Sequence, residues 1–172
     1  LDFIGVYDAV LRLKTMRYMP DLQWDLCALT GKVSDELGLT LLTNKSGGSL
    51  EGYDAVIVPG GDGTGALQHD HNFIEWLRTS SPGAWKISVC TGSLLLGAAG
   101  FLKNKKATTH FDYYETLQRY CKEVVIERVV EDTNVITAGA VSSSIDLGLY
   151  LCHKWAGAEA AAAIRKRMDY RE

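Results

Sequence analysis

Lys86-Ile87-Ser88-Val89-Cys90-Thr91-Gly92-Ser93-Leu94-Leu95-Leu96-Gly97 reads as a short buried strand that runs into one cysteine, turns tightly and continues as an apolar helix. The elbow places the thiol of Cys90 at a helix N-terminus. Unpaired backbone N–H groups and the positive end of the dipole there favour the thiolate. A thiolate on a strand-to-helix turn is how an α/β protein presents a nucleophile. The other reading of Cys90 is a small buried apolar residue. The flanking sequence has to decide between them.

Elements of both kinds alternate on either side of this stretch. Upstream, Asp54-Ala55-Val56-Ile57-Val58 is a continuous β-rich run that ends in Pro59-Gly60-Gly61, the pattern of a strand buried on both faces. Val6, Val10 and Leu13 recur at helical spacing, Trp24–Leu29 and Leu39–Thr43 are strand-like, and residues 72–78 begin a helix that Asp70 can cap. Downstream, Val124–Val130 and Asn134–Thr137 flank Glu131-Asp132-Thr133 as a hairpin. Two helices follow, an amphipathic one over 144–155 and an Ala-rich one over 158–168. No linker, repeat or low-complexity tract interrupts the pattern. It predicts a single α/β domain over residues 1–172, with a doubly wound, mostly parallel sheet.

Composition narrows the function. The chain has 172 residues and a net charge of −3, with 47% hydrophobic and 23% charged residues, an ordinary globular balance. That charge leaves no footprint for nucleic acid, and Lys103, Lys105 and Lys106 read as a solvated loop. No apolar run approaches the roughly 20 residues of a membrane span, and no signal-like segment opens the chain. Cys27, Cys90, Cys121 and Cys152 lie far apart without metal-ligand spacing, so the sequence predicts a reducing, cytoplasmic setting and neither metal nor cofactor. The chain starts at Leu1 and enters Asp2-Phe3-Ile4-Gly5 at once, where such a domain would normally have a preceding strand. A first strand is therefore expected to be missing at the N-terminus.

Sites in an open parallel sheet gather at the C-terminal ends of its strands. If the strands at 54–58 and 86–89 are neighbours, the N–H groups of Gly60, Gly61 and Thr91 converge beside the Cys90 sulfur as a hole for an anion. The rival readings of Pro59-Gly60-Gly61-Asp62-Gly63-Thr64-Gly65 are a phosphate cradle, although the Lys-Ser/Thr ending is absent, and a plain tight turn. His110 could reach the pocket or serve as a hydrogen-bonded structural histidine. His69-Asp70-His71 reads as a solvated turn rather than a metal site, Asp146 as a capping or pairing residue, and Cys27, Cys121 and Cys152 as core.

Ala55-Val56-Ile57-Val58-Pro59-Gly60-Gly61, Ser88-Val89-Cys90-Thr91-Gly92-Ser93, Ala107-Thr108-Thr109-His110-Phe111 and Val135-Ile136-Thr137-Ala138-Gly139 resemble, in order and spacing, the ThiJ/PfpI superfamily. The resemblance implies a flavodoxin-like fold of the class I glutamine-amidotransferase type and a homodimer. Thr91 stands where protease-like members carry a histidine. Leu1-Asp2-Phe3-Ile4-Gly5-Val6-Tyr7, together with Cys90-Thr91-Gly92-Ser93, looks most like the isocyanide hydratase branch. Val6 departs from a common proline in that segment, and Phe111 from a frequent tryptophan. By this resemblance Cys90 attacks the terminal carbon of an isocyanide to give a thioimidate. Asp2 supplies a proton and later helps activate water, and Thr91 orients the water or the intermediate. Collapse releases an N-substituted formamide. Asp2 and Thr91 could instead be helix caps. Two other functions stay open: a glyoxalase- or deglycase-like enzyme acting on reactive carbonyls, and a non-enzymatic sensor of oxidation or ligand.

Overall fold

The computed structural model describes residues 1–35 and 37–171. Helix α1 (Asp2–Thr15) opens the chain and buries the stripe Val6, Ala9, Val10 and Leu13. Strands β1 (Cys27–Ala28), β2 (Lys32–Ser34), β3 (Thr40–Leu42) and β4 (Lys45–Ser46) follow. They form two small sheets, β1 parallel to β4 and β2 antiparallel to β3. The expected strand over Trp24–Leu29 shrinks to two residues because Leu26 gives its N–H to the Asn44 side chain (2.5 Å) rather than to a ladder.

Next come β5 (Ala55–Val58), α2 (Thr64–Leu67), α3 (His71–Arg78), β6 (Trp85–Val89) and α4 (Gly92–Ala98). Asp70 caps α3 by accepting the Phe73 N–H at 3.1 Å. Strand β7 (Lys106–Ala107), a 3₁₀ turn over Phe111–Tyr113, α5 (Tyr114–Leu117), β8 (Glu123–Val124), β9 (Val129–Asp132), β10 (Val135–Ala138) and α6 (Ser143–Arg167) complete the order. The expected hairpin exists as β9 against β10, but its first arm does not extend back to Val124. That residue belongs to β8, which pairs with β7 instead. The span α6 is two helices joined at Gly157, whose φ of 88° breaks the backbone where the sequence separates an amphipathic from an Ala-rich segment.

The main sheet runs β5-β6-β10-β9, with β5, β6 and β10 parallel and β9 antiparallel. Side chains of β6 alternate with period two. Ile87 and Val89 pack under α1 and α6 with Ile136, Ala138, Leu147 and Leu151. On the opposite face Val58 and Val135 meet Ile74, Leu77, Leu94 and Leu96 from α3 and α4. Both faces are covered, as a parallel sheet requires. Strand β5 is less enclosed than its sequence suggests. It lies at the end of the described strand order, and only Val58 is fully buried. Lys86 is buried on β6, its ammonium donating to the carbonyls of Ser81 (2.7 Å) and Ala84 (2.9 Å), and burial lowers its pKa. Among the described residues no helix is long and apolar enough to cross a membrane.

Helices α1 and α6 approach closely because glycines line the contact. A Cβ on Gly5 would strike the Ser144 side chain, and one on Gly148 would lie 2.6 Å from Cβ of Ala9. Burial at the same interface pushes the Cys152 thiol up to about 12, and this thiol donates to the Ala9 carbonyl at 3.3 Å. Gly148→Ala is expected to push the helices apart and to cost about 1–3 kcal/mol of stability, the range for overpacking. The urea unfolding midpoint reads this loss, and an unchanged midpoint would show that the contact can relax.

Candidate active site

Three parallel strands end at one edge of the sheet. In register, Val58 lies beside Ser88 and Ala138 beside Val89, so the turns Pro59–Gly61, Cys90–Thr91 and Gly139–Val141 come together. The pairing of β5 with β6 meets the condition under which the sequence brings these turns together. The third turn is an addition, and its signal was the strand Val135–Ala138 ending in Gly139.

Cys90 sits on a sharp elbow with φ of 55°, a left-handed conformation that L side chains seldom adopt. Five hydrogen bonds hold it there, one of them from the Ser93 N–H to the Cys90 carbonyl at 3.3 Å. Its N–H is shared between the carbonyls of Ala138 and Gly139, each at 3.0 Å. Its own carbonyl accepts the hydroxyls of Ser93 and Thr109, each at 3.0 Å. Gly92 lets α4 start directly against β5, because a Cβ there would lie 2.9 Å from the Pro59 carbonyl oxygen. Cys90 is 6% exposed.

Asp2 lies in the first turn of α1, while Leu1 occupies the N-cap position, so Asp2 is not the cap. Its carboxylate stands at the Gly60–Thr91 turn beside Cys90, where its charge raises the thiol. Gly60 supplies the necessary space: a Cβ there would lie 2.6 Å from Asp2 Oδ2 and 2.8 Å from both N and Oγ1 of Thr91. Thr91 is buried and does not cap α4 with its side chain. Its hydroxyl instead faces the glycine turn, accepting the Gly61 N–H at 3.1 Å and lying 3.3 Å from the Gly61 carbonyl. The Gly61 N–H, expected beside the sulfur, is thus directed at Thr91 Oγ1.

Electrostatics correct one expectation. The thiol of Cys90 is pushed above its ordinary pKa, first by burial and then by the Asp2 charge. The backbone N–H groups of Thr91 and Val141 pull the other way without prevailing. Helix N-terminal donors alone would favour thiolate, but desolvation and a neighbouring carboxylate outweigh them. Val141 is the donor that the sequence reading missed, since a backbone N–H leaves no mark on residue identity.

His110 makes local contacts. Its Nδ1 accepts the Asp112 N–H at 3.2 Å, and its ring stacks on Phe111 at 4.2 Å. Asp146 pairs with Arg128, as a structural residue would. His69 and His71 are exposed, and the described residues hold no cluster of three or more metal-ligating side chains.

The chain is similar to known proteins along nearly its whole length. It is 35% identical to isonitrile hydratase of Pseudomonas putida over 99% of this chain and 73% of that protein. It is 30% identical to Protein DJ-1alpha of Drosophila melanogaster over 67% of this chain and 54% of that one. The solved structure of a ThiJ/PfpI family protein from Pseudomonas syringae superposes with a TM-score of 0.89 at 27% identity, covering 99% of this chain and 70% of that one. Drosophila melanogaster DJ-1beta, at 22% identity and a TM-score of 0.82, shares the fold. Residues 14–154 match the DJ-1/PfpI family. With the flavodoxin-like sheet and the cysteine elbow of the fold, these matches establish that the chain belongs to the DJ-1/PfpI family.

Proposed function

We propose that the protein is a cysteine-dependent hydratase that converts an isocyanide to an N-substituted formamide. The observation that carries this reading is the placement of the Asp2 carboxylate at the turn beside Cys90, on a chain similar to an isonitrile hydratase. A thiol and a carboxyl sharing one proton supply the nucleophile and the acid that this reaction needs.

In the proposed cycle Asp2 takes the thiol proton as Cys90 Sγ bonds to the terminal carbon. The negative charge left on that carbon takes the proton back from Asp2, giving a thioimidate. Water then adds to the same carbon. Asp2 accepts one proton from the water and passes it to nitrogen; as the C–S bond breaks, the added hydroxyl becomes the formamide carbonyl and its proton goes to sulfur through Asp2. The products are the formamide and the free thiol, so the net change is addition of one water. Thr91 Oγ1 orients the water, and the N–H groups of Thr91 and Val141 hold the sulfur while it carries charge. The turn at Gly60 and Gly61 forms the opposite wall and holds Thr91 in place. A raised thiol pKa suits a nucleophile activated on demand better than a peroxide sensor, which depends on standing thiolate.

No cofactor enters this scheme. By resemblance the protein acts as a homodimer, and light scattering of the purified protein should return twice the chain mass. A monomer at micromolar concentration would remove that part of the reading.

Hydration of an aryl isocyanide, followed as formamide release, should vanish in Cys90→Ala. It should fall by roughly 10²–10⁴ in Asp2→Asn, the range for loss of a general acid-base group. A folded parent protein without turnover would discard isocyanides as the substrate class.

Alkylation of Cys90 by iodoacetamide gives an independent pH test. Because the thiol is raised, its rate should climb about tenfold per pH unit from neutral pH past the ordinary thiol value of about 8.5. Asp2→Asn removes a charge that raises the thiol, so alkylation at pH 7 should quicken while turnover falls. Both rates falling together would contradict the shared-proton scheme.

A further inference from the structure

The segment Gly139–Ser142 that carries the Val141 N–H is held at both ends by one residue. At its start, the Gly139 N–H donates to the Arg128 carbonyl at 3.0 Å. At its end, the Arg128 guanidinium reaches forward, Nη2 donating to Ser142 Oγ at 3.3 Å and Nε to Asp146 Oδ2 at 2.7 Å. Nη2 also bonds Asp146 Oδ2. The other Asp146 oxygen, Oδ1, accepts the Tyr170 hydroxyl at 2.8 Å, so the C-terminal segment closes the relay. An arginine suits this place because its planar fork serves two acceptors at once, which an ammonium cannot do with the same rigidity.

We infer that Arg128, braced by Asp146 and Tyr170, is a positioning residue for the nucleophile: it fixes Gly139–Ser142, the segment whose Gly139 carbonyl accepts the Cys90 N–H at 3.0 Å and so helps to set the elbow that carries the sulfur. This inference rests on the reading of Cys90 as the nucleophile, though not on the identity of its substrate. Asp2 on α1 is the charged group that acts on the thiol among the described residues. Arg128 therefore acts through the backbone it holds and not through its own field. Exposure of the Arg128 side chain at 59% makes its replacement tolerable to the fold.

The test is the pH profile of iodoacetamide alkylation of Cys90, read on the Cys90 peptide by mass spectrometry, in the full chain. Loss of the guanidinium end of the clasp lets Gly139–Ser142 shift against the Cys90 elbow, weakening the backbone influence that favours the ionised sulfur, and the thiol then ionises less readily. Arg128→Ala is expected to slow alkylation at pH 7 by about three- to tenfold and to shift the profile to higher pH. Asp146→Asn should shift it the same way, Tyr170→Phe the same way by less, and Arg128→Lys should recover part of the rate. A through-space charge effect predicts opposite shifts for Arg128→Ala and Asp146→Asn, because one removes a positive and the other a negative charge. Opposite shifts would overturn the inference, as would profiles that superpose on the parent's while thermal melts show folded protein. Should Arg128→Ala not fold, Asp146→Asn and Tyr170→Phe decide the matter in the same two ways. No isocyanide enters this assay, so failure of the substrate assignment and failure of the clasp are separately visible.

Discussion

Everything at the site depends on the ladder of β6 between β5 and β10. Three parallel strands locked in register bring three turns to one edge: the glycine turn at 59–61, the cysteine elbow at 90–91 and the segment 139–141. A slip of one residue in either pairing would reverse the faces of a strand and separate these turns. The apolar side chains prevent that slip, since Ile87 and Val89 must lie under α1 and α6 with Ile136 and Ala138. The same ladder also supports the elbow. A left-handed Cys90 costs on the order of 1–3 kcal/mol. The shared bonds of its N–H and the two hydroxyls on its carbonyl, each contributing about 0.5–1.5 kcal/mol, offset that strain.

The thiol lies under two opposing influences of different range. Burial and the Asp2 carboxylate disfavour its ionised form, whereas the N–H groups of Thr91 and Val141 favour it. In the proposed reaction the sulfur starts protonated and hands its proton to Asp2, which suits addition to a neutral carbon centre, where the same proton is needed again a moment later. Such an arrangement requires Asp2 to be held closely, and that task falls to helix packing. Glycines at 5 and 148 allow α1 to settle onto α6, which carries the first turn of α1 toward the end of β6. Gly60 then leaves the space in which the carboxylate stands beside Thr91.

Residue identity and periodicity determined a good part of this protein. The run before Gly60 is apolar on both faces, the mark of a parallel-sheet strand, and the run before Cys90 keeps Ile87 and Val89 on one face while burying Lys86 and Ser88 on the other. The small residues after each run mark turns that backbone can approach closely. The elbow, the cap at Asp70 and the helix break at Gly157 were all legible from local residue identity. Short strands such as Cys27–Ala28 were not, because a single side chain, that of Asn44, diverts one backbone donor and ends the ladder. Nor was the split between Val124 and Val129, where one β-prone run serves two different partners.

Tertiary structure alone decided the chemistry of the sulfur. The sequence placed Cys90 at a helix N-terminus and so pointed to an easily formed thiolate, since local donors follow from local conformation. Burial by residues far along the chain, and the charge of Asp2 some ninety positions away, reverse that direction. The Val141 donor and the Arg128–Asp146–Tyr170 clasp belong to the same class of fact, because backbone N–H groups are identical along the chain and pairing across distant segments has no local signature. Pattern in sequence fixes which faces are buried and where the chain turns. The energy of an ionising group is a sum over whatever the fold brings near it, and only the folded chain defines that set.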